Sequence, residues 1–159
     1  MNKENSIEFI FKKPEDSPGY LLGQLTLLWQ RKHKKVLDPL DLTQTQFVLL
    51  ASIAWLSKTN NKLTQVEIAN HNNFDRMMVS KVLRTLQTKK LITREEHDTD
   101  TRAKIVSLTT NGKTILQEAL TAVENADIDF FSDLQNEMIP FNRNMITLIK
   151  SNSVDDKNF

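Results

Sequence analysis

The stretch Asp75–Leu108 reads DRMMVSKVLRTLQTKKLITREEHDTDTRAKIVSL, and its pattern changes twice along its length. The first part carries apolar residues at the i, i+3, i+4 and i+7 spacing of one helix face, namely Val79, Val82, Leu83 and Leu86. The opposite face holds three cations, a hydroxyl and a thioether, from Arg76, Met77, Ser80, Lys81 and Arg84. Residues 91–96 and 104–108 predict two strands, joined by a polar segment at residues 97–103. The stretch therefore predicts a helix with a basic outer face, followed by a charged β-hairpin.

The residues before this stretch predict a shorter helix joined to it by a tight turn. Thr64 and Glu67 have capping-box spacing at the start of that helix. A polar turn follows at residues 71–74, and Asp75 is placed to cap the next helix by accepting an orphan backbone N–H. Two short helices joined by about four residues form a helix-turn-helix. With the hairpin they predict a winged helix-turn-helix, a fold that docks on DNA.

Composition excludes several classes of protein. The chain has 159 residues, which suits one domain or one domain with a dimerising extension. It has no cysteine, so disulfide frameworks, thiol redox sensing and cysteine metal sites are excluded. No apolar run approaches the length of a membrane-spanning helix, and residues 1–19 are too polar for a secretory signal. We expect a cytoplasmic protein.

Charge is distributed unevenly along the chain. Residues 62–104 carry nine Lys/Arg and six Asp/Glu, a net charge of +3. Residues 105–159 carry four Lys/Arg and eight Asp/Glu, a net charge of −4, and residues 1–61 carry eight and six, a net charge of +2. A basic middle and an acidic C-terminal third favour one surface for phosphates and another kept away from them.

Both ends of the chain predict helices that are more apolar than a small core requires. Residues 20–37 have apolar side chains at helical spacing, and residues 113–150 continue in two further helices, with Pro140 in a first turn. A partner subunit would cover these surfaces. The predicted fold is mainly α with a small β-hairpin wing and a helical dimerisation region from both termini. The predicted divisions are an arm and dimerisation helix at 1–40, a winged helix-turn-helix lobe at 41–112, dimerisation helices at 113–150 and a disordered tail at 151–159.

With these segments in hand, the sequence resembles the MarR family of transcriptional regulators. The resemblance rests on LTQVEIA at 63–69, on residues 75–94, and on DTRAKIVSLTTNG at 100–112, which matches the family's wing motif. It implies a homodimer on a pseudo-palindromic operator, with a recognition helix in the major groove and the wing at the minor groove. It also implies that Arg102 enters the minor groove and that Asp100 orients it. Lys90 departs from the family, which often has glycine there; a left-handed backbone at Lys90 would cost about 1 kcal/mol.

The candidate DNA contacts follow from these roles. Cations of the helix can donate to phosphates or to guanine, and the methionine beside them can meet a thymine methyl. The alternative for each cation is a solvated surface charge, and Met77 or Met78 can equally belong to the core. Thr64 is expected to cap its helix more than to bind phosphate. The full set is Thr64, Gln65, Arg76, Met77, Ser80, Lys81, Arg84, Arg94, Asp100, Arg102 and Lys104.

Other functions receive less support from the sequence. No catalytic motif, cofactor loop or metal-ligand spacing is present, so we predict no enzyme, no cofactor and no metal; the alternative is a zinc site joining His33 to the C-terminal acids. The family resemblance implies a small aromatic or anionic effector, and Tyr20, Trp29, His33 and Trp55, with Arg31, are the candidates to bind it. For the two tryptophans an ordinary core position is the alternative. The rival functions are a winged-helix protein-interaction module and a ligand-binding protein without specific DNA affinity.

Overall fold

A computed structural model of the chain describes residues 7–96, 98–100 and 103–153. Within these residues six helices and one two-stranded antiparallel sheet form the fold that the sequence predicts, mainly α with a small β-hairpin. The helices are α1 (Pro18–Leu37), α2 (Gln44–Leu56), α3 (Gln65–Asn72), α4 (Arg76–Thr88), α5 (Thr110–Phe130) and α6 (Met138–Asn152). The strands are β1 (Ile92–Glu96) and β2 (Lys104–Leu108). Short 3-10 helices lie at Pro14–Asp16, Asp38–Leu40 and Ser132–Glu137.

The start of α3 is fixed by the capping box that the sequence predicts. The Thr64 side chain accepts from the Glu67 backbone N–H at 3.4 Å, and Glu67 Oε2 accepts from the Thr64 backbone N–H at 2.8 Å. A second box of the same kind starts α2, formed by Thr43 and Gln46. These boxes satisfy backbone donors that a helix start leaves unpaired. Both helices therefore begin at positions set by local chemistry.

The basic helix α4 also begins and ends as its sequence indicates. The Asp75 carboxylate accepts from the Met78 backbone N–H at 2.8 Å. At the other end Lys90 has φ 60°, so this position does require a left-handed backbone. The Leu91 N–H donates to the Leu86 carbonyl at 3.0 Å and the Lys90 N–H to the Gln87 carbonyl at 2.9 Å. This is a Schellman motif, which usually has glycine at the left-handed residue.

The hairpin is joined to the helix-turn-helix by more than its own turn. β1 and β2 pair in register from Ile92 opposite Leu108 to Glu96 opposite Lys104. On its other side β2 contacts the residues before α3, because the Val106 N–H donates to the Leu63 carbonyl at 2.8 Å. Ile92, Leu63 and Val106 are all buried. The wing therefore starts from a fixed position on the lobe.

The first turn of α5 packs very closely against the chain just before β1. Thr109 caps α5 by accepting from the Gly112 N–H at 2.9 Å, and its hydroxyl donates to the Lys90 carbonyl at 2.8 Å. Gly112 lies against the backbone of Leu91, where an added Cβ would sit 1.9 Å from the Leu91 carbonyl oxygen. A side chain at residue 112 is excluded by this contact, so glycine here permits the close approach of helix and strand.

The core lies within the lobe, whereas much of the terminal helices is exposed. Completely buried side chains come from several elements, among them Leu37, Leu49, Leu50, Ile53, Ile68, Val79, Leu83 and Leu86. No residue of α6 is buried. The apolar residues that remain exposed on α1 and α6 include Leu21, Leu22, Leu28, Ile139, Ile146, Leu148 and Ile149. α6 continues to Asn152, so the predicted disorder of residues 151–152 is wrong, while residues 154–159 lie outside the described part.

Candidate nucleic-acid interface

The outer face of α4 is exposed and basic. Val79, Leu83 and Leu86 are directed into the core, so the residues between them are directed outward. The cations Arg76, Lys81 and Arg84 are exposed and Ser80 is half-buried. The two methionines are separated by the structure, since Met77 is 82% exposed and Met78 packs against the core. α4 therefore presents three cations, one hydroxyl and one flexible apolar side chain on one surface.

The start of α3 brings Gln65 beside the wing. Gln65 is the first residue of α3 and is half-buried, and its Oε1 accepts from Arg94 Nη2 at 2.9 Å. Thr64 is occupied by the capping box, which agrees with its expected capping role. Thr64 and Gln65 are the two candidate DNA contacts at this helix start. Within the described residues, only the Gln65 side chain contacts another candidate, Arg94.

Arg94 is more withdrawn from solvent than the cations of α4. It pairs with Val106 across the hairpin and is half-buried, and its Nε is buried with no hydrogen-bond partner within the described chain. Burial lowers the pKa of the Arg94 guanidinium from its ordinary value, and the positive charge of Arg84 lowers that pKa further. The predicted DNA contact of Arg94 stays a prediction. Arg94 lies between the wing, α3 and the basic face of α4.

Other charged residues of the hairpin form ion pairs near the surface. Lys104 pairs with Glu96 at 3.0 Å on the neighbouring strand, and Lys62 pairs with Asp98 at 2.8 Å. Both pairs are largely exposed and contribute little to stability. Asp100 is exposed and has a partner of its own. Arg102 lies outside the described residues, so its orientation by Asp100 stays a prediction.

Two of the four effector candidates meet in an interhelical cluster. The Trp29 Nε1 donates to Asp127 Oδ1 at 2.7 Å, and His33 Nε2 lies 2.7 Å from the same oxygen. The His33 and Trp29 rings are 4.2 Å apart between centroids, and His33 is 3% exposed. Gln44 Nε2 lies 3.4 Å from His33 Nδ1. This cluster ties α1 to α5 and to the start of α2.

The other two effector candidates lie elsewhere. Tyr20 precedes Trp29 by nine residues of α1, which is about 13 Å along the helix. Trp55 lies on α2, is 60% exposed and has the Lys58 ammonium 4.3 Å from its ring centroid. The four candidates therefore do not form one cluster within this subunit, and a core position for Trp55 is wrong. Arg31 is exposed on α1.

Sequence reasoning missed the role of Asp127. The spacing of the acidic residues at the end of α5 indicates only a solvated surface, but Asp127 accepts from two donors of α1, and Asp129 pairs with Lys32. The available signal was a Trp and a His four residues apart on one face of α1, both of which need acceptors when buried. Among the described residues no three histidines, cysteines or carboxylates are grouped so as to hold a metal ion, and the contact of His33 with Asp127 supplies two such groups.

A cleft of about 550 Å³ with a mainly apolar lining opens between the end of α2, β2 and the first half of α5. Lys58 and Lys113 are cations in its lining, and Leu116 and Leu120 are among its apolar lining residues. Small anions with an apolar body have complementary chemistry. In the described chain no helix is both long and apolar enough to cross a membrane.

Comparison with known proteins matches this architecture to regulators. A family model described as the ArnR1-like winged-helix domain matches residues 38–127. The chain is 42% identical over 122 residues to the uncharacterized HTH-type transcriptional regulator YdcH of Bacillus subtilis (strain 168), covering 77% of this chain and 83% of that protein. These relatives are regulators and not enzymes.

Two solved structures have the same fold. The S. aureus MepR–DNA complex superposes with a TM-score of 0.75 at 26% identity, covering 85% of this chain and 98% of MepR. A mutant MarR from E. coli complexed with operator DNA superposes with a TM-score of 0.73 at 24% identity, covering 85% of this chain and 95% of that one. In each case the match covers nearly the whole length of the neighbour.

Proposed function

This chain belongs to the MarR family of winged-helix, DNA-binding transcriptional regulators, and we propose that it acts as a homodimer on a pseudo-palindromic operator. In this proposal each α4 enters a major groove and each wing lies at the adjacent minor groove. The observation that carries it is the outer face of α4, where exposed Arg76, Lys81 and Arg84 surround Met77 with no acidic side chain between them. Such a surface suits both phosphates and base edges.

The residues of α4 divide between positioning and reading. Lys81 and Arg84 lie near the middle of the helix and are the candidates for guanine O6 and N7 or for phosphate oxygens. Ser80 is short, which allows close approach of the helix to the bases, and the exposed Met77 can contact a thymine methyl. Arg76, in the first turn, is assigned to phosphate. Residues 41–112 are thus the proposed DNA-binding lobe.

The wing supplies the second groove contact. Arg102 is the proposed minor-groove residue, since it occupies the arginine of the family's wing motif with Asp100 two residues before it. Lys104, which flanks the tip of the wing, is the proposed contact to the DNA backbone. Insertion of an arginine into a narrow minor groove is favoured by the negative potential there.

Homodimerisation through residues 1–40 and 113–150 is supported by exposed apolar surface. Leu22, Ile139 and Leu148 are each more than 60% exposed. A largely apolar cleft of about 310 Å³ lies between α1, the end of α5 and α6, lined in part by Phe131 and Phe141. A second subunit that covers this surface would remove it from water. Repression would follow if the dimer occupies promoter DNA.

An effector is proposed for the cleft of about 550 Å³ between α2, β2 and α5. Lys58 and Lys113 favour a small anion, and the leucine side chains of the lining favour an aromatic or acyl body. A ligand there would change the separation of the two recognition helices and misfit half-sites spaced about one helical turn apart. Equal operator affinity with and without a panel of phenolic acids would contradict this part of the proposal.

The decisive experiment is selection of bound duplexes from a randomised library, followed by titration of the enriched duplex against salt. We expect an inverted repeat and a steep fall of affinity with salt, because phosphate contacts release counterions. Lys81→Ala and Arg84→Ala should each weaken binding, while Lys34→Ala, which removes an exposed cation paired with Asp38 on α1, serves as the matched control. Enrichment of no sequence, with only weak salt-dependent binding, would favour the rival function of a winged-helix protein-interaction module.

A further inference from the structure

Arg94 and Gln65 form a contact between the wing and α3 to which the proposed function gives no role. Alternation along β1 places Arg94 on the same side of the strand as the buried Ile92, and its cross-strand partner Val106 is also buried. The Arg94 side chain is therefore directed over the lobe and reaches α3, where Nη2 donates to Gln65 Oε1 at 2.9 Å. Because this position of the strand faces the protein, its arginine forms a contact within the protein and not with solvent alone.

The chemistry of the two groups fixes which way the Gln65 amide faces. A guanidinium has only donors, whereas a glutamine amide has one acceptor oxygen and one NH₂ with two donors. Arg94 must therefore meet the amide oxygen. The Gln65 NH₂ is therefore turned away from Arg94, on a half-buried side chain at the first position of α3.

We propose that Arg94 is a positioning residue that holds the Gln65 amide with its donors directed at a DNA phosphate. The inference rests on the proposed function and goes beyond it, because it assigns Arg94 to Gln65 and not to the DNA backbone. A donor pair at this place adds to the attraction that a helix N-terminus already has for an anion. Arg94 thus acts through Gln65.

The environment of Arg94 supports a role within the protein. Its Nε is buried and unpaired within the described chain, and the guanidinium is half-buried beside the exposed Arg84. A cation withdrawn in this way is poorly placed to neutralise a phosphate, whereas Arg84 is well placed. The one donor for which the described chain shows a partner, Nη2, is the one that binds Gln65.

A double-mutant cycle on DNA binding tests the proposal. Arg94→Met keeps the length of the stem and removes the donor, Gln65→Ala removes the amide, and the double variant removes both. The probe is the labelled duplex that the wild-type chain enriches, titrated at several salt concentrations, with thermal melting of each variant as the check on folding. We expect each single variant to lose about tenfold in affinity, and the double variant to lose no more than either. Both substitutions remove the same interaction, the hydrogen bond from the Gln65 amide to a charged phosphate.

The salt dependence separates positioning from direct contact. Arg94→Met should leave the slope of log affinity against log salt unchanged, because a neutral amide releases no counterion. The matched control is Lys104→Met, a cation on the neighbouring strand whose losses should multiply with those of Gln65→Ala. Losses of Arg94→Met and Gln65→Ala that multiply, or a slope reduced by about 0.9 in Arg94→Met, would overturn the positioning role.

Gln65→Glu gives a second test that does not depend on the folding of an Arg94 variant. A glutamate still accepts from Arg94 but has no NH₂ and adds a negative charge near phosphate. We expect it to bind DNA more weakly than Gln65→Ala. Binding as tight as the wild type would overturn the proposal, and failure of the wild-type chain to enrich any duplex would overturn the proposed function together with it.

Discussion

Replacing Lys90 with glycine should stabilise the protein. Lys90 has φ 60° at the end of α4, and a residue with a Cβ in this left-handed conformation costs roughly 1–2 kcal/mol. Glycine avoids that cost but loses about 0.5–1 kcal/mol more backbone entropy on folding. The Lys90 side chain is exposed. The difference predicts a gain of about 0.5–1 kcal/mol in the free energy of unfolding for Lys90→Gly.

Lys90→Ala is the matched control, because it removes the same ammonium and stem but keeps the Cβ. Its free energy of unfolding should lie near that of the wild type. Denaturant unfolding of all three proteins at one protein concentration measures the difference, since the stability of the proposed dimer would depend on concentration. Equal stabilisation by glycine and alanine would refute the backbone argument and attribute the effect to the lost charge. A less stable Lys90→Gly would refute it outright.

Three further predictions concern packing, the interhelical cluster and the wing. Gly112→Ala should destabilise the fold by about 3 kcal/mol or more, because the added Cβ would meet the Leu91 carbonyl at 1.9 Å; an unfolding midpoint like that of the wild type would contradict this. Asp127→Ala should cost about 1–3 kcal/mol by leaving an indole and a buried imidazole without their acceptor, and Asp127→Asn, which keeps one oxygen, should cost less in the same denaturant titration. Arg102→Ala should reduce operator affinity by at least about 1 kcal/mol in a fluorescence titration; a smaller loss would refute the minor-groove role.

Features that depend on neighbours in sequence were predictable. The capping boxes at Thr43 and Thr64, the Asp75 cap and the buried stripe of α4 each follow from side chains within a few residues. The left-handed Lys90 followed from the family pattern, and the membership of the MarR family that the wing motif indicated is confirmed by the comparisons. Local hydrogen-bonding chemistry and helical periodicity suffice for such features.

Features that depend on distant packing were not predictable. Asp127 is 98 positions from Trp29 and 94 positions from His33 along the chain, so these residues meet only when the chain is folded. Met77 is exposed and Met78 packs against the core because of the way α4 is rotated about its axis. Helical periodicity does not fix this rotation for residues at the edge of the apolar face. Arg94 is an intermediate case, because strand alternation places it with Ile92 but cannot name the glutamine that it meets.

The hydrogen bond from Val106 to Leu63 has a mechanical consequence. It continues the hairpin across to the residues before α3, and Thr64 and Ile105 form a further bridge beside it. These contacts join the strands of the wing to the helix-turn-helix. Tilting one relative to the other would break the buried hydrogen bond between Val106 and Leu63. Hydrogen exchange at the Val106 amide should be as slow as global unfolding permits. A signal from elsewhere in the protein would then have to move the DNA-binding lobe as a rigid body. It would change the distance between the two lobes of the proposed dimer without changing the shape of either lobe.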